Sequence, residues 1–287
     1  MKTAIMTDTN SGLTVEEGRK AGIYVLPMPI TVNDRAYLEG VGIELGDFYR
    51  ELEAGCDAVS SQPSPGDFTA MWDEILEAGF DEIVYIPMSS GLSGSCATAT
   101  TFSAEYEGKV KVVDNHRISL SLMDSVYDAV KLRDRGCDAD TIKDSLENNA
   151  YNQSIYVTVN SLDRLIRSGR VTAAGAAVAN ALNLKPVLQI QGEKLDAFAK
   201  VRGMKKAEKL MVESIEEDIY TRFKDIPQER LSVSVAGSFT DPDAADNWRQ
   251  QVQTAFPEFE IKYYPLSASI CCHVGANAVG IAVSVIE

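Results

Sequence analysis

Short apolar runs alternate with longer amphipathic stretches along almost the whole chain. TAIMT (3–7), IYVLPMPITV (23–32), EIVYIP (82–87), KVKVVD (109–114), SIYVTVN (154–160), RLSVSVAG (230–237) and EIKYYPL (260–266) have the length and β-branched or aromatic content of strands. The two prolines in 23–32 favour an edge or a kinked course for that strand. Between the strands, apolar residues recur at helical spacing. DFTAMWDEILEAG (67–79) sets Phe68, Met71, Trp72, Ile75 and Leu76 on one face, and ISLSLMDSVYDAVKLRDRG (118–136) predicts a longer helix. DAVSSQPSPG (57–66) predicts a loop that delivers its hydroxyls onto the start of the 67–79 helix.

In the first half, units of strand, polar loop and helix follow one another. That order predicts a parallel sheet with its loops gathered at the carboxyl edge, where open α/β sheets bind ligands. The second half differs. KPVLQIQGEKLDAFAKV (185–201) predicts a hairpin turning at GEK, and AAGAAVANALN (173–183) predicts a small-residue helix. The expectation is an α/β protein of two domains, residues 1–153 with a parallel sheet and 154–287 with a mixed one, since 287 residues suffice for two cores.

Composition narrows the function. Hydrophobic residues make up 45% and charged residues 24%, which excludes a disordered chain. A net charge of −15 argues against a nucleic-acid partner, because displacing counterions from phosphates needs clustered Lys and Arg. The five cysteines, at 56, 96, 137, 271 and 272, have no CxxC spacing, and no signal peptide precedes MKTAIMTDTN, so the expected location is the cytoplasm. No apolar run reaches the roughly 20 residues that span a bilayer, which leaves transient membrane contact as the only kind expected. Two histidines, His116 and His273, are too few for a zinc site with such scattered cysteines, and no metal or cofactor is expected.

Three hydroxyl-rich loops carry the candidate chemistry: TDTNSG (7–12), SSQPS (60–64) and SSGLSGS (89–95). The last two precede helices, whose first-turn N–H groups and positive dipole end suit a small anion. Each could equally be a helix cap or a turn. GLSGS is not the G-x-S-x-G elbow of hydrolases, and no phosphate-loop motif is present. RLIRSGRVT brings Arg164, Arg167 and Arg170 together, either as a solvated face or as a docking patch. Cys271 and Cys272 read as small packing residues.

TDTNSGL, SSQPSPGDF, SSGLSGS, VVDNHRISLSL, LIRSGRVT, LNLKPVL, KVRGMKKA and HVGANAVG fall in the order and approximate spacing of one family. The chain resembles the DegV family of fatty-acid-binding proteins over nearly its whole length. The resemblance implies a two-domain fold with a long-chain fatty acid such as palmitate, stearate or oleate in a cleft between the domains. It also implies an acyl-binding subunit of a bacterial fatty acid kinase, which is not catalytic by itself and presents the carboxylate to an ATP-using partner for phospholipid synthesis. Carried over by motif, Ser60, Ser93 and His273 surround the carboxylate, with Ser61, Ser90, Gly91 and Gly94 in support. Arg170 faces the headgroup or the partner. Ser60 stands where the family usually has Thr, GAN replaces G-P-G after His273, and TDTN alters the usual T-D-S-T opening. The loops hold no cation of their own, so hydroxyls and helix N–H groups would have to replace the carboxylate's water. Two other readings remain: an acyl hydrolase using Ser93 with His273, and a small-anion-binding α/β protein.

Overall fold

The structure, a computed structural model, describes residues 1–177 and 184–287. The first apolar run becomes β1 (Thr3–Asp8), whose six residues are all buried, as in a strand covered on both faces. Helix α1 (Val15–Ala21) follows, started by a capping box in which Thr14 and Glu17 satisfy each other's backbone N–H groups. β2 (Ile23–Leu26) then lies parallel to β1.

The 23–32 run does not continue as one strand. Pro27 has no N–H to give to a ladder, and the Met28 N–H donates to the Thr9 hydroxyl at 3.1 Å, so the chain leaves the sheet. It begins β3 (Pro29–Val32) in a second, antiparallel sheet with β4 (Arg35–Leu38). After α2 (Leu45–Glu53), β5 (Ala58–Ser60) joins the other edge of β3. β5 lies within the segment predicted as loop, and SSQPS therefore leaves a small antiparallel sheet, not the parallel one. Its hydroxyls do lead onto a helix, α3 (Pro65–Glu77), which Ser64 caps and Pro65 opens.

β6 (Glu82–Ile86), α4 (Ser95–Ser103), β7 (Val110–Val112), α5 (Ser119–Asp134) and α6 (Ala139–Asn148) complete the first half. The parallel sheet has the order β2-β1-β6-β7. Thr9–Ser11 forms a single 3-10 turn at the carboxyl end of β1.

Six strands from the remainder form the mixed sheet. β8 (Gln153–Thr158), α7 (Asp163–Ser168) and α8 (Ala173–Ala176) precede the predicted hairpin of β9 (Leu184–Ile190) and β10 (Asp196–Arg202). Most of the predicted 173–183 helix lies outside the described residues. α9 (Met204–Thr221), β11 (Leu231–Gly237), α10 (Pro242–Ala255), β12 (Lys262–Pro265), α11 (Ala268–Val274) and β13 (Val279–Val285) follow. The sheet order is β10-β9-β8-β13-β11-β12, antiparallel except for β11 and β12.

α5 fills the space between the sheets, packing on β1 on one side and on β11 and β13 on the other. α9 and α10 cover the outer face of the mixed sheet, around Tyr156, Met211, Trp248 and Ile281. α3 and α4 cover the outer face of the parallel sheet, around Phe68, Trp72 and Tyr85. α11 belongs to the last third of the sequence yet packs against β3, β5 and α2. That contact fastens the small antiparallel sheet to the second half of the chain.

Candidate functional site

A narrow cavity lies between the parallel and mixed sheets. Its empty space is about 930 Å³, including the solvent at its mouth. Most of its wall is apolar. Met28, Met88, Ile118 and Leu120 line it from the first half, and Ile155, Val157, Ile190 and Ile270 from the second. On the mixed sheet, Val157, Gly280 and Ala236 sit side by side in register, and the two small residues hollow the floor.

Polar side chains converge on one part of this wall. Ser60 ends β5, where Ser61 N–H donates to Pro29 O at 3.0 Å and prolongs the strand pairing. His273 sits in the last turn of α11, and its Nε2 lies 2.8 Å from Ser60 Oγ. The contact follows from α11 packing directly on β5. Burial, with a smaller push from the Arg170 charge, lowers the His273 imidazole to about 4, so it is neutral at pH 7. Ser93 lines the same cavity, and its hydroxyl accepts the Ser95 N–H at 3.2 Å.

Arg170 supplies what the loops lack. Its Nε donates to Leu92 O at 3.2 Å, it also bonds Ser168 O, and it lines the cavity. The cation expected on the headgroup or partner side thus lines the cavity, and it comes from the second half of the chain, not from the loops. The three arginines do not act together. Arg164 donates to Cys56 O at 2.7 Å, and Arg167 is exposed.

Ser61 lines the cavity at its exposed edge, beside Gln62. Ser90, Gly91 and Gly94 are not part of the wall. Ser90 is exposed and its N–H donates to Asp114 at 3.2 Å. A Cβ on Gly91 would lie 2.4 Å from Glu193 Oε2 and 2.9 Å from its Cα, so this glycine admits the tip of the β9–β10 hairpin. Ser89 fastens the same tip by donating to Gly192 O at 2.6 Å. The hydrolase pairing of Ser93 with His273 is not formed, since the imidazole bonds Ser60. Its Nδ1 is buried with no hydrogen-bond partner among the described residues, and none of them supplies a carboxylate to orient the ring.

Several wall residues lie outside the predicted set, notably Asn10, Ser119 and Ser269. TDTNSG pointed to the first of these. Ser269 stands one helical turn before His273, on the same face of α11, in a segment with no predicted element. Cys271 and Cys272 are both buried, and burial pushes both thiols up, so neither is a ready nucleophile.

A mostly apolar cavity lined by the Ser60–His273 pair and by Arg170 fits an amphiphile with a single acidic end. Residues 2–285 match the model of a family described as "Uncharacterised protein, DegV family", and the chain belongs to that family. A DegV domain-containing protein of Listeria innocua is 30% identical over 99% of both chains, and one of Listeria monocytogenes is 31% identical over the same share. Among solved structures, a DegV family protein of Thermus thermophilus, described by its fatty acid binding, superposes with a TM-score of 0.86 at 27% identity, covering all of both chains. A DegV lipid-binding protein of Thermotoga maritima gives 0.83 at 26% identity, covering 100% of this chain and 99% of its own. No helix among the described residues is long and apolar enough to cross a membrane.

Proposed function

We propose that this protein binds a long-chain fatty acid such as palmitate, stearate or oleate, its tail in the tube between residues 1–153 and 154–287. Ser60, Ser93 and His273 surround the carboxylate, the two serines as donors and His273 by holding Ser60, and Arg170 faces it. The observation that carries this reading is the narrow apolar cavity on which a neutral serine–histidine pair and an arginine converge. The fatty acid and lipid binding ascribed to the relatives from Thermus thermophilus and Thermotoga maritima supports it.

The energetics suit the task. Burying about ten methylenes contributes roughly 8 kcal/mol before binding costs, and each hydrogen bond to the charge adds about 1.5–3 kcal/mol. The tail supplies the affinity and the polar end the orientation. A buried N–H without a partner is less tolerable than a free lone pair, so the buried Nδ1 of His273 goes without hydrogen. Nε2–H then donates to Ser60 Oγ, which frees the Ser60 O–H to donate to the carboxylate. In that tautomer His273 cannot take the serine proton, so Ser60 binds and does not attack.

The carboxylate would lie beside the exposed Ser61 and Gln62, within reach of a partner. This chain carries no phosphate-loop motif, so a separate ATP-dependent fatty acid kinase would supply the phosphoryl group. One carboxylate oxygen attacks the γ-phosphorus, ADP departs, and the acyl phosphate feeds phospholipid synthesis in the cytoplasm of a bacterium. Transient membrane contact would load the tail, since a bilayer offers each methylene a similar gain. The test is displacement of a fluorescent fatty acid by oleate, followed by acyl-hydroxamate detection with ATP and a candidate kinase from the same cell. Failure of displacement ends the binding reading. Displacement without hydroxamate ends only the kinase step.

A further inference from the structure

Glu39 is buried to 8% exposure and has no cationic partner among the described residues, yet it stands at a junction of three segments that line the cavity. Its Oε1 accepts the N–H of Ala268, one of the free donors at the start of α11. Its Oε2 accepts from Thr9 Oγ1 at 2.6 Å and lies 3.0 Å from Ser269 Oγ. The Glu39 N–H donates to Met28 O at 2.9 Å, and Thr9 Oγ1 accepts the Met28 N–H. One carboxyl group thus ties the turn after β1, the passage from β2 to β3, and the first turn of α11. His273 follows Ser269 by four residues, or about 6 Å along the helix.

Ser269 has a single hydroxyl hydrogen and three oxygens near it: Asn10 Oδ1 at 2.8 Å, Glu39 Oε2 at 3.0 Å and Ser267 Oγ at 3.1 Å. Asn10 Nδ2 donates to Asp8 Oδ1 at 2.8 Å. If Glu39 holds a proton, every contact has one donor and one acceptor, running Glu39 to Ser269 to Asn10 to Asp8. If Glu39 is ionised, either Asn10 Oδ1 loses its donor or two lone pairs face each other across 3.0 Å.

We propose that Glu39 is a positioning residue: by holding the first turn of α11 it sets the His273 ring against Ser60. The ligand part of this inference rests on the fatty-acid reading, and the positioning part does not. Burial pushes the Glu39 carboxyl up to about 7, consistent with the proton-carrying chain at and below neutral pH. The titratable groups around it are Asp8 through Asn10, Tyr49 on α2, and Cys271 and Cys272 on α11. Arg170 is the charge felt by His273.

The chain has only two histidines, so imidazole NMR resolves His273 once His116→Asn assigns the other signal. Glu39→Gln keeps an acceptor for Ala268 and cannot ionise. Glu39→Asp keeps the charge but is one methylene too short. His273 should stay neutral down to about pH 4 in the wild type and in Glu39→Gln, and titrate closer to 6.5 in Glu39→Asp and Glu39→Ala. Oleate affinity should fall about tenfold or more in the last two and stay within about threefold in Glu39→Gln, as a lost or kept carboxylate bond predicts. If Glu39→Ala does not fold, the Gln and Asp pair carries the test. An unchanged His273 titration in a folded Asp variant, or the same change in Gln and Asp, overturns the proposal. If no variant, nor the wild type, binds oleate while His273 responds as expected, the fatty-acid reading fails and the positioning role stands.

Discussion

Removing the Ser60 hydroxyl is the sharpest perturbation of the proposed carboxylate site. Ser60 Oγ sits 2.8 Å from His273 Nε2 and lines the cavity. If its O–H donates to a buried carboxylate, Ser60→Ala removes one charge-assisted bond, about 1.5–3 kcal/mol, or roughly 10- to 150-fold in Kd. The same change leaves the His273 N–H unpaired, which alone could weaken any ligand. The assay therefore pairs two proteins with two ligands: wild type and Ser60→Ala, each titrated calorimetrically with oleic acid and with its methyl ester. The ester keeps the tail and removes the charge, so a carboxylate-specific bond makes the Ser60→Ala penalty at least about fivefold larger for the acid. Equal penalties for acid and ester, or no penalty for either, would refute the assignment of Ser60. Ser60→Thr restores the hydroxyl that the family usually carries and should bind within about threefold of wild type.

Three further outcomes follow from the same geometry. Gly280→Val should spare the fold, because a Cβ there meets only carbonyl oxygens at ordinary contact distance, 3.7 and 3.8 Å, and Gly280 lines the cavity that would take up the methyl groups. It should cost stearate about tenfold or more while sparing decanoate, at about 0.8 kcal/mol per displaced methylene; equal losses for both chains would remove Gly280 from the tube floor. Fatty acid binding should raise the His273 imidazole above its starting value of about 4, since an anion beside it favours the charged form, and NMR titration with and without oleate reads this directly. Stability should show two opposing proton linkages. Glu39, held up to about 7, binds its proton more tightly folded than unfolded, so its contribution is greatest in acid and is lost as pH rises to about 7. His273, held down to about 4, costs stability as pH falls from about 6.5, because only the unfolded chain takes up the proton. Urea unfolding of Glu39→Gln should therefore lose about 2–3 kcal/mol more than wild type between pH 7 and 5; parallel curves would contradict the linkage.

Strong periodicity made most of the fold legible. The strands of the parallel sheet, the helices at α3 and α5, and the β9–β10 hairpin all stood out against polar neighbours. The 23–32 run misled because apolar content cannot tell one strand from two in different sheets. Pro27 marked the break, but the reason for it, the Thr9 hydroxyl occupying the Met28 N–H, is tertiary. α11 and β13 were invisible because Ala, Cys, Gly and Val give little contrast between faces when all are buried.

The site was legible in a different way. Motif resemblance picked Ser60, Ser93, His273 and Arg170, all of which line the cavity. Spacing alone could not have paired Ser60 with a residue 213 positions away. Glu39 left no signal, since a lone Glu beside glycines reads as surface until its burial is seen. Resemblance named Arg170 as well, but that it bonds Leu92 O, in the loop just before Ser93, is a contact only the packed structure shows.

Native mass spectrometry of the protein, purified gently and never exposed to added lipid, tests the central claim most directly. A single mass increment matching a C16 or C18 fatty acid, released on denaturation and absent from a variant with the tube filled at Gly280, is the expected result. A protein that carries no such increment and takes up none from added oleate, or one whose increment survives denaturation as an ester on serine, would contradict the account.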